Sequence, residues 1–330
     1  MIPVVYLLIY LVLLKIVPLT LGSLTLAFLF SLIITAISEL LNKIFRFRTI
    51  SIVVAGIIFL GAIAFSIYGI FPIMVNEGKK VVDFLGNFSE KSIEEMFPWL
   101  EEGSKALEFA QDVLNWLGKT FTSGFGNVAT FLVSKIPDIA TSATLLVIAS
   151  IYIALTLPKI GELSLNLFPK SDEERARSFL VGVYSNMRRF ITGQLINAFI
   201  VGLIVWFGMV IFSIKYSAFF GVLAGITDFI PFLGVVITAI PSIFVGVSQK
   251  GLVGIFQVVL VLTVANQVEG WILAPKVIGN QVKLNWFAIL VTMIALSEVY
   301  GFIGVLISVP FLIVLREIWR YYLKEMLGRG

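Results

Sequence analysis

The 330-residue chain contains no cysteine and no histidine. The first absence excludes disulfides, thiolate metal sites and cysteine nucleophiles, and the second removes the commonest metal ligand and general base. No cofactor and no metal site are expected. Charge is scarce as well, with Asp, Glu, Lys and Arg making up 13% of residues against 59% hydrophobic, and the mean hydropathy is +1.02. Soluble domains carry about twice that share of charge. A chain so poor in polar groups reads as an all-α polytopic membrane protein whose main partner is the lipid bilayer. The net charge of +4 and pI near 9.2 come from basic residues in loops beside apolar runs. These are topology signals, and nucleic acid is not an expected partner.

About eight membrane segments are expected. The first domain, residues 1–75, holds three apolar segments and reads as a membrane scaffold. Pro18 parts the first two, and Lys43, Arg46 and Arg48 form a basic loop assigned to the cytoplasm. No cleavable leader is evident before Lys15, so the first segment is expected to stay. Composition changes sharply at 76–138, where ten acidic residues face six lysines. Its apolar positions recur at helical spacing, which predicts an amphipathic helical region outside the cytoplasm. Residues 139–190 supply a fourth span and a basic cytoplasmic loop, in which Ser171 and the acids after it resemble a helix start. A basic tail, 316–330, closes the chain, and both termini are placed in the cytoplasm.

The domain between, 191–315, carries the polar residues that a plain anchor avoids. Gln194 and Asn197 lie three apart, on one helix face. Residues 217–247 form an apolar run of 31 residues that would reach about 46 Å as one helix, against a hydrocarbon core of about 30 Å. Asp228, Pro231 and Gly234 interrupt it, so a broken or re-entrant helical hairpin is expected. Asn266, Gln267 and Glu269 cluster at the end of the next span. The last apolar stretch, 285–315, is interrupted by Glu298 and Gly301 and is read as a second hairpin. The two interrupted runs invite superposition: Asp228, Gly234, Thr238 and Pro241 align with Glu298, Gly304, Ser308 and Pro310. Paired broken segments are a known way to build a binding site near the membrane midplane.

The order Arg189-Phe-Ile-Thr-Gly193-Gln194, Asp228-Phe-Ile-Pro231-Phe-Leu-Gly234, Gln267-Val-Glu269-Gly270, Ala274-Pro275-Lys276-Val-Ile-Gly279 and Gly301-Phe-Ile-Gly304 resembles the autoinducer-2 exporter family. It departs from that pattern at Val235, at Asn285 and Trp286, and at Glu298. The resemblance implies a permease-like, non-enzymatic protein of the cytoplasmic membrane, a homo-oligomer with five-fold assembly, and an elevator-like movement. It implies export of a small polar solute such as a signalling molecule, or alternatively sodium(lithium)/proton antiport with a monovalent cation as partner. A membrane scaffold that binds a partner through 76–138 is a further alternative. No phosphate-binding G-x-x-x-x-G-K motif is present, so transport would be gradient-driven or served by a separate subunit. The candidate binding residues are thus Gln194, Asn197, Asp228, Pro231, Gly234, Asn266, Gln267, Glu269, Glu298, Gly301 and Gly304.

Overall fold

A computed structural model describes residues 2–86, 105–230, 233–278 and 285–324. Among them every regular element is helical. Pro231, Gly279 and residues 87–104 of the acid-rich stretch lie outside the described residues.

Among the described residues nine α-helices follow one another: α1 (Ile2–Ile16), α2 (Pro18–Phe45), α3 (Arg48–Phe65), α4 (Phe71–Gly86), α5 (Lys105–Leu165), α6 (Glu173–Ile211), α7 (Ser217–Thr227), α8 (Leu233–Val268) and α9 (Trp286–Ile318). Five stretches among the described residues are long and apolar enough to cross a bilayer: Pro18–Phe45, Arg48–Asp83, Asp138–Leu165, Lys170–Ile211 and Leu233–Leu273. Three shorter apolar helices join them: Ile2–Ile16, Ser217–Thr227 and Phe287–Gly301. Local chemistry sets several boundaries. Pro18 opens α2, where its missing N–H is no loss, and Arg46 closes it in a left-handed conformation. Asn285 caps α9, its side chain accepting from the Phe287 N–H at 2.9 Å. Residues 105–138 of the amphipathic stretch and the fourth span share one helix, since α5 runs for 61 residues.

Two glycines break α8 and α9. Gly251 and Gly301 both adopt φ 59° and ψ −140°, a combination that an L side chain resists. In each case a second glycine follows three residues later. A Cβ on Gly254 would strike the carbonyl of Gly246, and one on Gly304 would strike that of Leu296. Both turns therefore bring the second arm backbone to backbone against the first. This revises the alignment suggested by sequence: the backbone counterpart of Gly304 is Gly254 rather than Gly234. Glu298, three residues before its turn, is exposed, whereas Asp228 is fully buried.

The chain divides into two compact units. Unit 1 comprises 1–62, 142–193 and 276–330. Leu14 of α1 packs with Leu296 and Ile307 of α9, and the Tyr300 hydroxyl donates to the Leu11 carbonyl at 2.8 Å. Arg188 of α6 makes a two-pronged pair with Glu39 of α2. Asn186 donates to Glu317 Oε1 at 2.9 Å, and both side chains are buried. Glu317 belongs to α9, which continues beyond residue 315 into the stretch that sequence assigns to a basic tail.

Unit 2 comprises 63–141 and 194–275. Here α6 and α7 approach through small residues. A Cβ on Gly202 would lie 2.9 Å from the Gly221 carbonyl, and one on Gly225 would lie 3.0 Å from that of Ala198. Gly208 accommodates Val261 of the second arm of α8 in the same way. Helices in lipid lack a hydrophobic drive to associate, and such glycine contacts let dispersion forces act at short range.

Candidate functional site

The glycine contacts of unit 2 fix which polar residues meet. With Gly225 seated on Ala198, Asp228 falls one turn farther along α7, level with Asn197 and Gln194 on α6. The second arm of α8 returns antiparallel along α6 through the Gly208–Val261 contact, which brings Glu269 to the same level.

Helix α7 ends at Thr227, and the chain passes through Asp228, Phe229 and Ile230 before α8 begins at Leu233. The break is held by short-range backbone bonds, with Ile230 N donating to Thr227 O at 3.2 Å and Leu233 N donating to Ile230 O at 3.1 Å. The Asp228 carbonyl, freed from the regular helical ladder, accepts from Gln194 Nε2 at 2.5 Å. A buried carbonyl without a partner is costly, and Gln194 removes that cost. Its functional and structural readings thus converge on a direct role in holding the break.

Asn197 is the hub of the site. Its Nδ2 donates to Asp228 Oδ2 at 3.2 Å and to Glu269 Oε1 at 3.0 Å. One amide group therefore bridges two carboxyl groups from separate helical segments. The burial is nearly complete: Asp228 is 0% exposed, Gln194 1%, Asn197 2% and Glu269 8%. Each member of the bridge retains an oxygen that no protein group satisfies, namely Asp228 Oδ1, Asn197 Oδ1 and Glu269 Oε2. Among the described residues neither carboxyl group has an ion-pair partner. Gly234 closes the arrangement on the α8 side, because a Cβ there would lie 2.7 Å from Asp228 Cβ and 2.8 Å from its Oδ1.

Five of the sequence candidates thus come together: Gln194, Asn197, Asp228, Gly234 and Glu269. Asn266 and Gln267 lie on the same arm as Glu269 but are exposed. Glu298, Gly301 and Gly304 belong to unit 1. The two glycines shape the α9 turn, and Pro231 lies outside the described residues. Sequence reading passed over Asn186 and Glu317, the second buried asparagine–glutamate pair. The signal was present: Gly182 and Asn186 repeat the four-residue spacing of Gly193 and Asn197, which places each pair on one helix face.

Comparison with known proteins agrees with this architecture. The model of the AI-2E family transporters matches residues 1–324. A Thermotoga maritima protein, provisionally named a transport protein, is 34% identical over 321 residues, covering 96% of this chain and 95% of its own length. YrrI of Bacillus subtilis carries the same provisional description and is 23% identical over 280 residues, covering 84% of this chain and 79% of its own. With the family match spanning nearly all of the sequence and five stretches apolar enough to span a bilayer, the chain is a polytopic membrane protein of the AI-2E transporter family.

Proposed function

We propose that the protein is a secondary-type permease that moves a small polar solute, with Gln194, Asn197, Asp228 and Glu269 as its binding site. One observation carries this reading. Four buried polar side chains converge where a membrane helix is broken, and three of their oxygens are left without partners. Unsatisfied buried acceptors are expensive, so a site of this kind is explained by a ligand that completes it. The length of α7 supports a location deep in the bilayer. Its 11 residues reach about 16 Å, roughly half of the hydrocarbon core, so a re-entrant α7–α8 hairpin would hold Asp228 near the midplane. An elevator-like movement of the site-bearing helices would then expose the site to each side in turn. The basic loops support a cytoplasmic-membrane protein with both termini inside, and family resemblance supports a homo-oligomer.

The second reading, sodium(lithium)/proton antiport, is favoured by the electrostatics of the same site. Two carboxyl groups share one neutral amide, and no basic side chain balances them among the described residues. A monovalent cation or protons would supply that balance.

Reconstituted vesicles test both readings. Counterflow of labelled small polyols is expected under the first, and a sodium-driven change in a trapped pH dye under the second. Asp228→Asn should abolish whichever flux the wild type shows while leaving the protein folded. Undiminished flux in that variant would remove the cluster from the transport site.

A further inference from the structure

Thr238 stands apart from the other hydroxyl side chains of these helices. A serine or threonine inside a helix ordinarily donates to the carbonyl three or four residues earlier. Thr227 does so to Leu223 O at 2.5 Å, Ser242 to Thr238 O at 2.6 Å and Ser248 to Val245 O at 2.9 Å. The Thr238 hydroxyl has no partner although the residue is 0% exposed. Thr192 in unit 1, itself only partly buried, is the other threonine with a buried, unpartnered hydroxyl oxygen among the described residues.

The direction of Thr238 follows from Gly234. The Cβ direction of Gly234 runs straight at Asp228, meeting its Cβ, Oδ1 and Cα within 2.9 Å. Residues four apart share a helix face, so Thr238 presents its side chain on that same side, about 6 Å farther along α8. Gly234 thus lets Asp228 rest against the helix, and Thr238 lies one turn beyond the point of contact. The oxygens left open on the other elements are Asp228 Oδ1, Asn197 Oδ1 and Glu269 Oε2.

We propose that the Thr238 hydroxyl is a further ligand-contacting group of this site, presented on the Gly234 face of α8. The ligand it serves is one that takes electron pairs from oxygen, either the hydroxyl hydrogens of a polyol or a monovalent cation. The inference rests on the reading of the cluster as a transport site. It adds to that reading a residue on a fourth stretch of chain, after the α6 face, the break at Asp228 and the end of the second arm of α8.

Melting of the purified full chain in detergent tests it, with choline chloride as baseline and sodium chloride or erythritol as the probes. Thr238→Val keeps the shape of the side chain and removes only the hydroxyl. Because no protein group bonds that hydroxyl, the variant should melt at the wild-type temperature or above it in choline chloride. The rise that a probe induces in wild type should fall by at least half in Thr238→Val and persist in Thr238→Ser. Ser242→Ala, which removes a hydroxyl already satisfied within the helix, should keep the rise. A response to sodium alone identifies a cation as the ligand, and a response to erythritol alone identifies a polyol. A baseline loss of more than about 3 °C in Thr238→Val would reveal a protein partner and overturn the inference. So would full retention of the probe-induced rise. No rise in wild type with either probe overturns the reading of the site itself, and this inference falls with it.

Discussion

Asn186 and Asn197 stand eleven residues apart on α6, each four residues after a glycine. Each donates its amide to a glutamate near the end of the second arm of a glycine-turned helix pair, Glu317 in unit 1 and Glu269 in unit 2. The two turns share the same backbone angles and the same glycine three residues on. What surrounds the glutamates differs. Arg320 stands 3.9 Å from Glu317 Oε2, one turn along the same stretch, whereas Glu269 shares its asparagine with a second acid, Asp228. The first cluster carries its own positive charge. The second has none among the described residues and keeps three open oxygens, where the first keeps one, Glu317 Oε2. The same clasp, an α6 asparagine on a buried glutamate, thus stands beside an arginine in one unit and beside a second acid in the other, where we propose the ligand binds.

Mutations can break this comparison, and the largest effects belong to the glycine turns that both halves need. Gly254→Leu and Gly304→Leu drive a side chain into the carbonyl of the opposing arm. Both should prevent accumulation of a monodisperse protein on gel filtration; assembly of either would show that the arms can part freely. Next come the acids, where the halves should diverge. Glu269→Gln is expected to lower flux in vesicles at least tenfold with little loss of melting temperature, whereas Glu317→Gln should reverse that order. Equal losses of flux from both would erase the distinction between ligand site and packing clasp.

Smaller effects sharpen the contrast. Asn186→Ala leaves a buried carboxyl group without its hydrogen bond and should cost about 1–3 kcal/mol, read from the shift in a denaturation midpoint. The same change at Asn197 strands two acids, so it should respond to added ligand, which Asn186→Ala should not. The smallest effect is expected at Arg320. Its side chain is 64% exposed and its nitrogen lies 3.9 Å from the carboxyl oxygen, so Arg320→Gln should cost under about 1 kcal/mol, and less in high salt. A larger loss would mean that Glu317 depends on that charge as strongly as the open site depends on its ligand.

Asp228, Gln194, Asn197 and Glu269 were legible because a polar side chain in an apolar run has few innocent explanations. Gly251 was not, since glycine is frequent in membrane helices and nothing in its neighbours marks a left-handed residue. The alignment of Asp228 with Glu298 misled for a related reason. It matched residue types at equal spacing, while the backbone repeat is set by the glycines at 251, 254, 301 and 304. Glu317 was hidden among the basic residues of the C-terminal stretch. Only the course of α9 past residue 315 shows that it is buried.

The sequence by itself determined that this is a helical, polytopic membrane protein with broken helices and polar residues at their breaks. Apolar runs that must enter lipid have to satisfy their backbone internally, and helices are the form that Leu, Ile, Val and Phe at these lengths then take. The tertiary structure alone decided which polar groups meet. Glycine contacts at Gly202, Gly221, Gly225 and Gly208 set the depth at which the helices of unit 2 pack. A shift of one residue there, about 1.5 Å along the axis and 100° around it, would part Asn197 from both of its acids.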